Sequence, residues 1–413
     1  MSGAAPRSPL MALDEALQSL LARAVLLDGT ETVGTFAADG RVLAHDVVSP
    51  LQVPPHDNSA MDGYAVRCAD VREPGVVLQV TQRIAAGASG HALEPLAAAR
   101  IFTGAPVPPG ADAIVMQEDT ETVNECEGGV RLLAVPVPGQ WIRRAGEDVR
   151  HGAVVLPAGT RLSPASLGLA ASVGAARITV RRRPRVALFS TGDELVMPGE
   201  VDPQDMRPGA IYNSNRFFLS ALLHRLGCEV SDLGIVPDNR ERTVAALKTA
   251  ADHHDLILTS GGVSVGEEDH IKPAVQSLGS LDLWQIAIKP GKPFAYGRVG
   301  QAHFMGLPGN PVSSFITFQL LVRPFLLRLS GVTDVGMKSI AVQAHFTWPR
   351  ADKRREFLRV RRNAVGGLDL FPNQSSGVLT STVWGDGVVD NPPGQTIAHG
   401  DTVRFIPMSE WLA

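Results

Sequence analysis

Cysteine is nearly absent: the chain of 413 residues has three, Cys68, Cys126 and Cys228, far apart and with no CxxC spacing. That excludes a disulfide framework and a thiolate zinc site, and it fits a reducing cytoplasm. Long apolar runs are also lacking. The most apolar late segment, FITFQLLVRPFLL, is broken by Arg323 and Pro324, and the opening MSGAAPRSPLMALDEAL has no signal-peptide core, so neither membrane crossing nor export is expected. Charge of one sign is missing too. A net charge of −4 argues against a nucleic-acid backbone as the main ligand and leaves small anions open. Aromatics stand at 5%, whereas glycine reaches 41 and proline 30, which predicts many turns and short strands and excludes a pure helical bundle. At roughly 150 residues per domain, the length predicts about two to four globular domains.

Along the chain, Leu13, Leu17, Leu20, Leu21 and Ala24 fall at helical spacing and predict a first helix over 11–26. GVVLQV, AIVMQ and the turns between them predict a small all-β insert, after which 151–180 can rejoin the N-terminal helix. From Pro184 onward strands and helices alternate. RVALFS, CEVSDLGIV, DLILTS, LDLWQIAIK and AHFMGL read as strands, and PVSSFITFQLLVRPFLLRLSG as a closing helix. IAVQAHF, EFLRVRRN, DLFPN and TVRFIP then read as short strands of a terminal β module. The expected fold class is multidomain α/β plus β. A central doubly wound, mostly parallel α/β domain spans 183–332, and an N-terminal mixed module comes from 1–50 and 151–182. A β-rich insert spans 51–150, and a C-terminal β-barrel spans 333–413.

Open α/β sheets gather ligands beyond the carboxyl ends of their strands. Here those loops are Ser190 to Glu194, Pro237-Asp238-Asn239, Ser260 to Asp269, Lys289 to Pro293, and Pro308 to Ser314. Gly261, Gly262 and Gly266 let backbone amides approach a phosphate, with Ser260 and Ser264 as further donors. Glu194, Asp238 and Asp269 offer the oxygen ligands Mg²⁺ takes beside phosphate. Lys289 and Lys292, on a segment stiffened by Pro290 and Pro293, suit an oxyanion, and Asn310, Ser313 and Ser314 open a helix. Each has a plain structural alternative: tight turns, helix caps at Asp238, Asp269 and Asn310, or surface lysines. In the insert, Asp62 within PPHDNSAMDGYAV is a functional carboxylate or an Asx-turn, and Thr103 in TGAP is equally open. Lys353, Arg355, Phe357, Arg359 and Arg361 alternate onto one strand face, read as a solvated face or a local oxyanion contact.

The ordered set PPHDNSAMDGYAV, IFTGAPVPPGADAIVMQED, STGDEL, SGGVSVGEEDH, IKPGKPFAYG and GLPGNPVSSF resembles the molybdopterin molybdenumtransferases, the MoeA family that includes the E domain of gephyrin. The resemblance implies insertion of molybdate into adenylylated molybdopterin, with Mg²⁺ assisting and AMP released. It implies a catalytic group of Asp62, Thr103, Glu194, Asp238 and Asp269, the last three also metal ligands. It implies substrate contacts at Ser260, Gly261, Gly262, Ser264, Gly266, Pro293 and Asn310, and molybdate contacts at Lys289, Lys292, Ser313, Arg355 and Ser376. It also implies a cytoplasmic homodimer in which Asp62 and Thr103 face the other subunit. Molybdopterin adenylyltransferase and molybdoenzyme chaperones would be its partners. The rivals are the shorter adenylyltransferase itself, disfavoured by the flanking β modules, and a scaffold that binds a receptor loop.

Overall fold

The computed structural model describes residues 10–123, 128–236, 239–262 and 270–412. Its centre is a six-stranded sheet in the order Glu229–Val236, Arg185–Thr191, Leu256–Ser260, Ala302–Leu307, Pro293–Val299, Gly279–Gln285. The first four strands run parallel, and Pro293–Val299 runs against both neighbours. Leu256–Ser260 and Ala302–Leu307 are buried at every residue, as befits strands covered on both faces. Val186, Leu188 and Leu258 join one core with Leu219, Leu222, Phe315 and Phe325, while Ala187, Phe189 and Ile257 join another with Leu247, Ala250 and Val275. Period-two alternation thus separates the two helical layers.

Two expectations need correction here. LDLWQIAIK is not one strand but two, Gly279–Gln285 in the central sheet and Ile288–Lys289 in the C-terminal sheet. PFAYGRV, which follows the Pro/Gly-rich KPGKP, forms a further, antiparallel strand, Pro293–Val299. The closing helix over Pro311–Leu329 contains a π segment at Phe318–Val322. Pro324 has no N–H to donate to the preceding turn, and the widened turn just before it absorbs that break. This helix is apolar enough to span a bilayer, yet nearly all of it is buried inside the fold.

The first helix is shorter than expected, Leu13–Leu21, and Leu13, Ala16 and Leu20 pack into the central core. Residues 151–180 therefore rejoin not that helix but the strands after it. Thr30–Gly34 pairs with Arg177–Arg181 and Val47–Val48 with Val154–Leu156, over a core of Leu43, Leu156, Leu162 and Ile178. Between them stands the insert's six-stranded sheet, with Gly63–Val66 between Ala97–Ile101 and Ala113–Met116.

In the C-terminal sheet, Arg355–Arg362 lies between Ile288–Lys289 and Gly387–Asn391. The latter strand, hidden in sequence among Gly, Asp and Pro, is wholly buried. On the face read as solvated, Lys353 and Arg361 are exposed, but Phe357 and Arg359 are packed beneath neighbouring segments of the chain and each 1% exposed, which corrects that expectation for the middle of the strand.

Candidate functional site

A cleft of about 820 Å³ opens at the carboxyl ends of the central strands. Glu194, Ser260, Gly261, Gly262, Pro293 and Asn310 line it, as the loop argument predicts, joined by Asn213, Asn215 and Gly309. The antiparallel course of Pro293–Val299 is what brings Pro293, at that strand's start, to the same edge as the other strands' ends.

The cleft's floor is backbone. Gly261 has φ of +93°, and a Cβ there would stand 2.6 Å from the Thr191 carbonyl oxygen. Gly262 has φ of +69°, with Ile271 just 2.5 Å from where its Cβ would lie, so at both positions only glycine fits without strain. Asn215 ties two walls together, donating to Ser260 Oγ at 2.8 Å and to the Gly309 carbonyl at 2.7 Å. It was not among the sequence candidates, and the signal for it was only its place near the start of a helix. Asn213 caps helix Ser214–Arg225 through its side-chain oxygen. Its Nδ2 is buried with no partner among the described residues, as are Ser190 Oγ, Thr259 Oγ1 and Ser314 Oγ. Buried polar atoms are rarely left so, and these four lie at or beside the carboxyl edge of the sheet.

Asn310 holds the cap position of the closing helix but makes no side-chain capping bond, leaving its amide exposed at the cleft. Asn239, whose Oδ1 accepts from Arg242 N, caps helix Arg240–His253, and His270 holds the cap position of helix Ile271–Leu278. Asp238, Ser264, Gly266 and Asp269 lie outside the described residues. Among the described residues no three His, Cys, Asp or Glu side chains converge, and Glu194 is the one predicted metal ligand seen at the cleft.

The cations divide into two kinds. Lys289 Nζ is 2.9 Å from Glu356 and 3.4 Å from Asp352, and Arg355 is held by both oxygens of Asp390 at 2.6 and 2.7 Å and by Asp14 at 3.0 Å. Both are neutralised. Lys292, half-buried, has no carboxylate partner among the described residues. Arg359, buried behind the cleft, donates to Ser381 Oγ at 3.1 Å and to the Phe357 and Ser375 carbonyls at 3.1 and 3.2 Å. Burial with no acid beside it pushes its guanidinium down to about 10. Ser375 adjoins Ser376, whose carbonyl accepts from Val312 N at 2.9 Å, and Gly377 and Leu379 complete the cleft wall. Arg359, rather than Arg355, thus carries to the rear of that wall a charge that no acid among the described residues compensates. Its alternation with Phe357 and Arg361 marked the face but not its burial. Ser313 is 5% exposed on the closing helix and does not line the cleft.

Asp62 and Thr103 meet in the insert, apart from the residues lining the cleft. Asp62 Oδ1 accepts from both Thr103 N and Thr103 Oγ1 at 2.7 Å. The backbone N–H and then the hydroxyl of Thr103 hold this carboxyl below its ordinary range.

Three family models match in chain order: the MoeA N-terminal region, domains I and II, over 11–174; the "Probable molybdopterin binding domain" over 187–328; and the MoeA C-terminal region, domain IV, over 341–408. A molybdopterin molybdenumtransferase of Haemophilus influenzae is 45% identical over 323 residues, 78% of either chain. One from Nostoc sp. is 37% identical over 92% of this chain and 89% of its own. The crystal structure of a molybdopterin biosynthesis MoeA protein from Pyrococcus horikoshii superposes over 97% of this chain and all of its own, with a TM-score of 0.81 at 27% identity.

Proposed function

We infer the reaction from the premise that this chain belongs to the MoeA family, the molybdopterin molybdenumtransferases: it inserts molybdate into adenylylated molybdopterin and releases AMP. Membership makes it a transferase of molybdenum cofactor biosynthesis. The observation that carries the finer reading is the glycine floor of the cleft, where Gly261 and Gly262 bring backbone close to any ligand, facing a wall backed by the bare charge of Arg359. Amides suit the phosphate of the pterin, and a buried cation suits a doubly charged oxyanion.

In this reading Glu194, with Asp238 and Asp269 from neighbouring loops, holds Mg²⁺, the hard oxygen donors that ion takes. The exposed Glu194 carboxylate at the cleft fits that role. The ion would supply neutralisation of phosphate charge as the anhydride breaks. The chain's own part is positioning. Gly261 and Gly262 orient the phosphate, Asn310 and Asn215 fix the opposite wall, and Lys292 and Arg359 draw molybdate toward the dithiolene. Lys289, Ser313, Arg355 and Ser376 then serve to build the cleft from behind. We read the C-terminal strands as a barrel, supported by the bridge from Ala344 to Leu368, and the enzyme as a cytoplasmic homodimer whose Asp62–Thr103 pair completes the other subunit's cleft.

The test is direct: purified protein given adenylylated molybdopterin, Mg²⁺ and molybdate releases AMP and yields active cofactor. No AMP under those conditions overturns the reading. Mixing inactive Asp62→Ala and Asp269→Ala proteins restores activity if the site is shared between subunits; no recovery despite subunit exchange rules that arrangement out.

A further inference from the structure

The insert carries a row of cations to which the account of the reaction above gives no role. In its sheet Tyr64 stands opposite Arg100, and Arg100 opposite Arg83. Phe102, two residues beyond Arg100, projects to the same face. The Arg83 and Arg100 guanidinium carbons lie 4.6 and 4.8 Å from the Phe102 ring centroid, and that of Arg100 lies 5.2 Å from the Tyr64 centroid. Like charges directly opposite across a sheet repel. An aromatic face between them orients the guanidiniums without cancelling their charge.

Among the described residues no acid pairs with them directly, and Asp62 feels the Arg100 charge only as the smallest of the influences on its carboxyl. Arg100 donates to the Gly63 carbonyl and to Gln117 Oε1, both neutral, and among the described residues neither arginine has a carboxylate within ion-pair distance. Asp62, the nearby acid in the chain, gives its Oδ1 to Thr103 twice over. Glu118 accepts from the Gln117 amide. Arg83 is exposed and Arg100 half-buried, so solvent reaches the row.

We propose that Arg83 and Arg100, aligned on the face of Phe102, form a binding site for a phosphoryl anion. Two planar forks side by side match the several oxygens of a phosphate, whereas one fork suffices for a carboxylate. Thr103 follows Phe102 in the chain, and Asp62 precedes Tyr64 by two residues. The site therefore places a phosphoryl group of the nucleotide-bearing substrate beside the Asp62–Thr103 pair, a consequence that rests on the reaction proposed above.

Arginine-selective labelling of the full-length protein with phenylglyoxal, read residue by residue by mass spectrometry, tests the site with inorganic phosphate as probe. Phosphate slows labelling of Arg83 and Arg100 at least about fivefold, and chloride at the same ionic strength does not. Arg100→Gln removes the protection of Arg83, and Arg100→Lys keeps part of it, with thermal melting showing that both variants fold. Equal protection by chloride, or none by phosphate, overturns the site. So does an unlabelled row without phosphate, which would mean protein covers it, or stronger protection by a glutamate-rich peptide, which would mean a protein-docking surface. The readout needs no turnover, so failure here leaves the reaction standing, and absent AMP release leaves the anion site standing.

Discussion

The two ends of the central sheet treat charge in opposite ways. At the amino ends of its parallel strands, Asp255 accepts from Arg182 at 2.7 and 2.8 Å and from Arg185 N at 2.8 Å, and His303 meets Tyr296 Oη at 2.8 Å and Arg298 Nη1 at 3.0 Å. At the carboxyl ends, among the described residues, Ser190, Asn213, Thr259 and Ser314 keep buried polar atoms with no partner, and Arg359 behind the adjoining wall keeps its charge without an acid. At the first end these pairs hold the fold. The second withholds its polar groups, which costs stability and leaves donors for a ligand.

The largest effect that sharpens this contrast is expected at Arg359. Arg359→Gln raises the molybdate concentration for half-maximal insertion about a hundredfold, ~3 kcal/mol of lost oxyanion attraction. Its stability shifts by about 1 kcal/mol or less, because the lost hydrogen bonds are offset by no longer burying a bare charge. An unchanged molybdate dependence would break the comparison at its open end.

At the closed end, burial, aided by the charge of Arg298, pushes His303 down to about 4. The folded state then binds this proton less readily than the unfolded chain, whose histidine titrates near 6.5. The stabilising contribution is complete above that value and is lost as pH falls toward 4, on the order of 3 kcal/mol in all. Urea unfolding of His303→Gln across that range should show a flatter pH dependence than the parent.

Asp255→Asn should cost about 2 kcal/mol at neutral pH, less than a fully buried pair because Arg182 is partly solvated. Burial alone would raise this carboxyl, but Arg182 and the Arg185 backbone N–H outweigh it and hold it below 3.8. The benefit is therefore present above that value and lost on acidification, so the two proteins converge in stability at low pH. Gly261→Ala should cost about 1–3 kcal/mol from its positive φ, with the clash of the new Cβ against the Thr191 carbonyl in addition. It should also weaken AMP binding measured by calorimetry, whereas Asp255→Asn should leave that binding intact.

Much of the cleft was legible because its residues sit in loops after strongly apolar strands. Ser260, Gly261 and Gly262 follow DLILT, and Asn310 follows AHFMGLPG. Position relative to a buried strand needs no tertiary knowledge once the sheet is mostly parallel. Pro293–Val299 and Gly387–Asn391 were not legible, since Pro, Gly and Asp mask strands whose stability comes from neighbours on both sides.

By itself, the sequence determined the order of modules, the alternation of the central domain and the motif set that marks the family, because these depend on local period and turn chemistry. Only the tertiary structure decided which cations are free. Lys289 and Lys292 are three residues apart and Arg355 and Arg359 four, yet Glu356, Asp352, Asp390 and Asp14 neutralise the first of each pair, while the second has no acid partner among the described residues. Those acids reach their partners across sheets and from the first helix, and charge compensation depends on distance in space, which spacing along a chain does not carry.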